Sequence, residues 1–107
     1  MPQIDVTVNW DATNNRPAVS QNPILVPTAN GATVIQWTNG PNITNFQITG
    51  LDTNEFTYPS NSNPVTTFTA TDKNSAVGTY SYTVTATHSS GLQGRHDPDI
   101  ENGGGLP

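Results

Sequence analysis

Apolar and polar residues alternate along much of this chain, in short stretches separated by turn-forming residues. In residues 4–10 every second residue is apolar, from Ile4 to Trp10. A period of two is typical of β-strands with one buried face, and no segment has the spacing of an amphipathic helix. The pattern predicts strands at residues 4–10, 19–26, 33–39, 46–48, 65–71, 79–88 and 97–102.

Strands of this length, with a turn about every ten residues, are typical of a sandwich of two sheets. The chain has 107 residues, enough to bury one modest core. We therefore expect an all-β Greek-key sandwich of about seven or eight strands. Residues 1–102 would form a single domain and residues 103–107 a flexible C-terminal tail.

Threonine is concentrated on one side of two predicted strands, 65–71 and 79–88. If these strands form a hairpin, their threonines make a flat array that would suit a glycan or another regular surface. Threonine is also a good solvent-facing strand former, so an ordinary exterior has the same pattern. Thr83 and Thr85 are candidate binding residues on this face, and Tyr58, in the loop predicted at 51–64, is a third.

Charged residues are few and mostly acidic. Lys and Arg number 3 against 8 Asp and Glu, which gives a net charge of −5. With only Arg16, Lys73 and Arg95 there is no basic patch to neutralise phosphates. This argues against nucleic acids and anionic membranes as partners, and no apolar run approaches the length of a membrane span.

Cysteine is absent, which excludes disulfides, thiolate metal ligands and thiol catalysis. The first ten residues have neither the basic nor the apolar region of a signal peptide. A cytoplasmic location is therefore the default expectation. An exported domain that has acquired a starting Met would begin in the same way.

Residues 78–94, GTYSYTVTATHSSGLQG, resemble the last hairpin of the cupredoxins, the small blue-copper sandwiches. In that family a Gly-x-Tyr-x-Tyr/Phe-x-Cys strand leads into a loop with His and Met, and a glycine follows. The resemblance covers about Val26 to Gly94 and implies a cupredoxin-like topology. Immunoglobulin-like sandwiches, which also use Gly-x-Tyr-x-Tyr, are the alternative. The matching residues are Gly78, Tyr80, Tyr82 and Gly94 in the hairpin, with Ile35, Trp37, Asn39, Phe46 and Ile48 upstream.

The copper ligands of that family are missing here. A blue-copper site needs two His, one Cys thiolate and usually a weak axial Met. In this chain the position of the first His ligand is occupied by Thr44 and that of the Cys ligand by Val84. The position of the second His is occupied by Thr87, with His88 one residue further on, and that of the Met by Leu92. The resemblance therefore implies the scaffold without a type 1 copper site, and we expect these residues to fill that end of the sandwich.

A different metal site is a second hypothesis. His88 and His96 are the two histidines of the chain, and they flank residues 89–95. They can act as neutral imidazole ligands, and Asp97 or Asp99 would add a carboxylate for copper, nickel or zinc. Two histidines without tight spacing are also typical of surface loops.

The acidic stretch 97–101 raises the same question for calcium. Asp97, Asp99 and Glu101 alternate, so they share one face of an extended chain. Together with Asn102 they would offer oxygen ligands. The same row is typical of an acidic edge strand that resists pairing with other chains.

Catalytic motifs are not recognisable in the sequence. There is no nucleophile elbow and no phosphate-binding loop. We therefore expect neither enzyme activity nor a cofactor. The first hypothesis is a non-catalytic binding or structural module whose partner is a protein or a glycan. The alternative is a metal-binding protein that uses His88, His96 and residues 97–101.

Overall fold

The protein is an all-β sandwich. A computed structural model describes residues 1–59 and 64–103. Apart from one 3₁₀ turn at Thr28–Asn30, every regular element in that part of the chain is a strand. The strands are β1 (Gln3–Asp11), β2 (Arg16–Val19), β3 (Ile24–Val26), β4 (Thr33–Asn39), β5 (Ile43–Thr49), β6 (Phe56–Thr57), β7 (Thr67–Asp72), β8 (Gly78–Ser81), β9 (Thr83–His88), β10 (Gln93–His96) and β11 (Asp99–Asn102).

Three sheets make the two layers of the sandwich. One layer is a five-stranded sheet in the order β2-β1-β4-β7-β6, in which β1 and β4 are parallel. The other layer consists of the three-stranded sheets β10-β9-β5 and β3-β11-β8, and in the latter β3 and β11 are parallel. The sheets are therefore mixed, and their inward side chains form one apolar cluster.

A single long hairpin joins the two smaller sheets. One arm contains β8 and β9, the other β10 and β11, and the register that pairs Gly78 with Asn102 continues to the pair Thr87 and Gln93. Tyr82 and Pro98 lie between the strands of their arms, and there the backbone N–H of Tyr82 donates to the carbonyl of Pro98 at 3.0 Å. The predicted strand 79–88 is thus one extended segment that passes from one sheet to the next at Tyr82.

The predicted strands 65–71 and 79–88 do not form the hairpin that a flat threonine array would require. β7 lies between β4 and β6 in the five-stranded sheet, whereas β9 lies between β5 and β10 in the other layer. Alternation shows which face of a strand is buried but not which strand lies beside it. The threonines of these two strands therefore belong to different surfaces.

Two edge strands, β2 and β10, lie outside the strands that the sequence predicts, except for Val19 at the end of β2. Their inward positions hold Pro17 and Gly94, so neither segment shows large apolar residues at every second position. These small residues let the two edges approach closely. A Cβ added at Gly94 would lie 2.9 Å from the Cα of Arg16 and 3.0 Å from the indole of Trp10.

The core is centred on Trp37 of β4 and Tyr82, which are 0% and 1% exposed. Trp37 Nε1 donates to the Tyr82 hydroxyl at 3.1 Å, and the rings meet edge to face with centroids 5.4 Å apart. Burial raises the pKa of Tyr82 to about 12. Phe68 and Ala70 of the predicted strand 65–71 also point inward, as the alternation of apolar residues with threonine in that strand predicts. The rest of the buried cluster is Val6, Val8, Ile24, Val26, Ile35, Ile43, Phe46, Ile48, Leu51, Phe56, Val84, Ala86 and Ile100.

Gly103, which we predicted as the first residue of the tail, is held by the fold. Its N–H donates to the carbonyl of Val26 at 2.8 Å, and an added Cβ would lie 3.0 Å from Val77. The remaining residues of the predicted tail, 104–107, lie outside the described residues.

Tyr82→Phe is expected to lower the free energy of unfolding by about 1–3 kcal/mol, because it leaves the buried N–H of Trp37 without an acceptor. Tyr58→Phe is the matched control. The Tyr58 hydroxyl donates to Leu51 at 3.3 Å in a partly buried position, so we expect a loss below about 1 kcal/mol. Urea denaturation measures both, and equal losses would contradict the role given to Tyr82.

Gly94→Ala is expected to destabilise the protein by about 1–3 kcal/mol, because the new methyl group would overlap the backbone of β2 and the Trp10 ring. Gly78→Ala places the same methyl group 3.9 Å from its nearest neighbour, so it should have little effect. Thermal unfolding of the two variants tests the close contact between β2 and β10. A similar melting temperature for both would show that the contact can relax.

Candidate functional site

Trp10, His88 and Leu92 form what we call the end patch, at the turn of the long hairpin. His88 ends β9 and Leu92 precedes β10. The His88 N–H donates to the Leu92 carbonyl at 2.7 Å, and Gly91, with φ of 94°, closes the turn. His88 and Leu92 are therefore a cross-strand pair whose side chains leave the hairpin on the same side.

The His88 ring packs against Trp10 of β1, with centroids 5.0 Å apart and planes tilted by 42°. Both side chains are half-buried. His88 Nδ1 accepts a hydrogen bond from the Ser90 N–H at 3.2 Å and lies 2.8 Å from the Ser90 hydroxyl. Because Nδ1 is an acceptor, the neutral ring carries its hydrogen on Nε2. The end patch thus offers a fixed aromatic pair with one polar donor.

Leu92 is 52% exposed, although it is a large apolar residue. In the described part of the chain only Met1, Leu25 and Val77 share this property. Two of the three basic residues lie on the neighbouring edge strands and are exposed: Arg16 on β2, opposite Asp11 in register, and Arg95 on β10, opposite Thr85. The exposed centre of the patch is apolar, in a protein that is acidic as a whole.

The four positions that the cupredoxin resemblance relates to copper ligands have different environments. Val84 is fully buried in the core, as expected. Thr44 and Leu92 are exposed, so the expectation that they fill the end of the sandwich is wrong for these two. A bulge in β5 between Ile43 and Asn45 turns Thr44 outward, and Leu92 lies in the hairpin turn. Thr87 is half-buried on the outer side of β9.

The structure does not bring the predicted metal ligands together. His96 pairs with Val84, whereas His88 lies at the turn. Four residues separate the two histidines in register, which is roughly 13 Å along the strands. Within residues 1–59 and 64–103 no group of three or more His, Cys, Asp or Glu side chains is placed to hold a metal ion.

The predicted acidic ligands are held instead by hydroxyl groups of the opposite arm. The Thr83 hydroxyl donates to Asp97 at 2.8 Å and the Ser81 hydroxyl to Asp99 at 2.7 Å. Ile100 and Asn102 are buried while Asp99 and Glu101 are half-exposed, so the acidic residues do share a face. The expectation of an edge strand is wrong, because β11 lies between β3 and β8.

Thr83 and Thr85, the predicted binding residues, are half-buried on the outer side of β9. Thr85 stands in register between Gln47 of β5 and Arg95 of β10, in a surface of hydroxyl and amide side chains that we call the polar face. The five-stranded sheet has a similar exterior. The members of the polar face are Asn45, Gln47, Thr49, Thr83, Thr85, Thr87, Gln93 and Arg95.

Tyr58, the third predicted binding residue, packs on the core. Its ring lies 5.9 Å from that of Phe68, and its hydroxyl donates to the Leu51 carbonyl. The side chain is half-buried. Neighbouring residues therefore cover much of the Tyr58 side chain, and the described residues form no exposed aromatic platform for a sugar around it.

Sequence reasoning missed a cluster of buried polar side chains at the other end of the hairpin. Glu55, Asp72 and Asn102 are 3%, 0% and 2% exposed. Asp72 follows Phe68 and Ala70 at the same spacing, and Asn102 follows Ile100, so alternation alone would have placed both inward. Glu55 lies in the turn before β6, where no periodic signal exists.

Glu55 accepts four hydrogen bonds. They come from the N–H and hydroxyl of Ser75, the N–H of Ala76 and the hydroxyl of Tyr80. Burial by itself raises the pKa of Glu55, but the bonds from Ser75, Tyr80 and Ala76 outweigh burial and leave the pKa below its ordinary value of 4.5. The folded protein thus holds this buried carboxylate in its charged form.

Neither a scan of protein-family models nor a search of curated proteins gives a match to this chain. No helix among the described residues has the length and apolarity that a membrane crossing requires.

Glu55→Gln is expected to destabilise the protein at pH 7 by on the order of 2 kcal/mol, because one accepting oxygen is replaced by an NH₂ that faces donors. The lowered pKa stabilises the fold above the ordinary pKa of a glutamate, and this contribution is lost as the pH falls through the lowered value. The difference from wild type should therefore narrow in acid. Glu101→Gln, on the outer side of β11, removes the same charge and is the matched control. Urea denaturation at several pH values measures the stability of both variants. A difference in unfolding free energy between wild type and Glu55→Gln that does not depend on pH would contradict the role of the charge.

Proposed function

We propose that this chain is a non-catalytic binding module that holds a protein partner at the end patch. The observation that carries the proposal is the position of Leu92, half-exposed at a hairpin turn beside the packed pair of Trp10 and His88. Aromatic and apolar side chains on a rigid support are the usual centres of protein interfaces. The backbone of this turn is fixed by its own hydrogen bonds, so little conformational entropy is lost on binding.

The basic residues of the neighbouring edge strands do not form a margin of the end patch. Arg16 stands opposite Asp11 in register, and Arg95 stands opposite Thr85 on the polar face. The contact should therefore depend on the apolar centre around Leu92, which added salt does not weaken.

A glycan on the polar face is the weaker choice of partner. No aromatic ring lies among the eight members of this face, so a sugar would find no stacking surface there. Some of its polar groups are also occupied, since the hydroxyl of Thr83 donates to Asp97 and Gln93 donates to Thr87 at 3.4 Å.

We further propose that the fold is a cupredoxin-like Greek-key sandwich without a type 1 copper site. The absence of cysteine excludes the thiolate that such a site needs. The positions that carry the resemblance support the relationship. Trp37 and Tyr82 meet in the core, and Gly94 makes the close approach to β2. In this proposal the end that would hold copper has become the end patch.

Leu92→Ser should weaken binding of the partner by roughly tenfold or more, because it removes the exposed apolar centre. Leu25→Ser is the matched control, since Leu25 is 45% exposed on β3, in a different sheet. A photoreactive amino acid at position 92, and separately at position 25, would first identify the protein that contacts the patch. Calorimetry on the purified pair then gives the dissociation constants.

The proposal fails if the protein crosslinked from position 92 binds Leu92→Ser and Leu25→Ser equally well. A loss of binding with Thr85→Lys and not with Leu92→Ser would place the site on the polar face. If copper or zinc binds the wild-type protein but binds neither His88→Ala nor His96→Ala, the result would instead support the metal-binding alternative.

A further inference from the structure

Asp72, the last residue of β7, lies completely inside the protein with one oxygen unpartnered. Its Oδ1 accepts hydrogen bonds from the Asn74 N–H at 2.8 Å and from Asn102 Nδ2 at 3.0 Å. Its Oδ2 has no hydrogen-bond partner, and neither has Oδ1 of Asn102. The carboxyl and carboxamide groups are thus joined by one hydrogen bond, and each retains one buried acceptor.

A single proton on Asp72 would give a hydrogen bond to both unpartnered oxygen atoms, Oδ2 of Asp72 and Oδ1 of Asn102. An ionised carboxylate has only acceptors, so it has nothing to offer to the carbonyl oxygen of Asn102. A protonated carboxyl has one O–H donor, and a carboxyl and a carboxamide can form two parallel hydrogen bonds. Each buried acceptor that is left unpaired destabilises the folded protein. Burying the charge of Asp72 would add to that cost.

We propose that Asp72 is a neutral carboxylic acid in mildly acidic solution, paired with Asn102 through two hydrogen bonds, and that loss of its proton loosens the contact between β7 and β11. The pair would act as a pH-sensitive latch. In this latch the Oδ2–H of Asp72 donates to Asn102 Oδ1, while Asn102 Nδ2 donates to Asp72 Oδ1.

The surroundings of Asp72 favour the neutral form. Burial raises the pKa of Asp72 above its ordinary value of 3.8, and the negative charge of Glu55 acts in the same direction, whereas hydrogen bonds from Asn74 and Asn102 oppose them. Its neighbours in register are uncharged: Thr33 on β4 and Phe56 on β6.

The other ionisable groups nearby do not neutralise Asp72. Tyr80 of β8 donates to Glu55, and burial, Glu55, Asp52 and Asp72 all raise the pKa of this tyrosine. Lys73 is the next residue in the chain, but its side chain is exposed. Glu101, next to Asn102, lies on the outer side of β11. No salt bridge is therefore formed with Asp72 in the described residues.

A cation would satisfy the same two oxygens less well than a proton. Calcium takes six to eight oxygen ligands, and the unpartnered side-chain oxygens here are two. The four acceptor contacts of Glu55 are used by Ser75, Ala76 and Tyr80. Within residues 1–59 and 64–103 no third carboxylate joins the cluster, so a proton is the ion that fits.

The latch connects parts of the fold that lie far apart in the chain. Asn102 ends β11, which pairs with β3 and β8. Asn74, which donates to Asp72, also donates to the carbonyls of Pro27 and Gly31 around the 3₁₀ turn. A change at Asp72 should therefore be felt first where β7, β11 and this turn meet, including the Gly103 N–H that donates to Val26.

The sign of the pH dependence follows from the direction of the shift. A group with a raised pKa in the folded state stabilises the fold fully below its unfolded pKa, and this contribution is lost as the pH rises through the folded value. Asp72 should thus favour the folded state in mild acid. Glu55, with a lowered pKa, acts in the opposite direction at lower pH.

A ¹³C NMR titration of the Asp72 carboxyl carbon in the wild-type protein tests the proton directly. We expect its midpoint above 3.8, the ordinary value for this side chain. Above that midpoint the Gly103 amide should exchange hydrogen roughly tenfold faster than the intrinsic pH dependence predicts, because the end of β11 opens more often. A midpoint at or below 3.8, or unchanged protection of Gly103, overturns the proposal.

Asp72→Asn tests the latch by stability, since an amide at this position keeps a donor at all pH values. As the pH rises from 3.8 through the measured midpoint of the Asp72 carboxyl, the urea midpoint of wild type should fall relative to that of Asp72→Asn. Asp99→Asn, on the strand that carries Asn102, removes one charge and should keep the wild-type slope. The same slope in all three proteins overturns the latch. A calcium-induced shift of the Asp72 carbon at neutral pH would also overturn it in favour of a cation. If Asp72→Asn does not fold, the wild-type titration still decides.

Discussion

The contact between Trp37 and Tyr82 is the constraint on which the rest of this structure depends. Trp37 belongs to the centre of the five-stranded layer, and Tyr82 stands where the long hairpin passes between the two smaller sheets. The hydrogen bond between them satisfies two polar atoms that burial would otherwise leave unpaired. One pair of rings therefore sets the spacing of the layers and the place where the second layer divides.

The long hairpin also relates the two polar or reactive regions of the molecule. The end patch lies at its turn, whereas Asn102, paired with Gly78, lies at the open end of its arms. The two regions differ in physical character. The end patch is half-exposed and suited to contacts with another molecule, while the cluster of Glu55, Asp72 and Asn102 is buried and acts on the fold itself. The proposed binding surface and the proposed pH-sensitive pair are thus separated along one element.

Much of the strand content follows from local patterns. Ile35 and Trp37 alternate with polar residues within the predicted strand 33–39, and β4 has those bounds. Phe68 and Ala70 point inward as their spacing requires. Segments without such a pattern were harder to predict. β2 and β10 carry Pro17 and Gly94 at inward positions, because the two edges approach too closely for larger side chains. Their strand structure comes from antiparallel pairing across a turn, of Pro17 with Trp10 and of Gly94 with Ala86.

The candidate sites show the same division. Composition excluded thiolate chemistry and made nucleic acids poor partners, since both depend on residues that the chain lacks or has in small number. Alternation placed Thr83 and Thr85 on an outer face, and Val84 in the core. It did not show that His88 meets Trp10 or that Asp72 meets Asn102, because contacts between residues 30 or more positions apart depend on strand pairing. Periodicity is a property of each strand alone. Which strands become neighbours is determined only when the layers pack, and the same packing determines which polar groups lose contact with water. The end patch and the buried carboxyl group therefore arise from the tertiary structure.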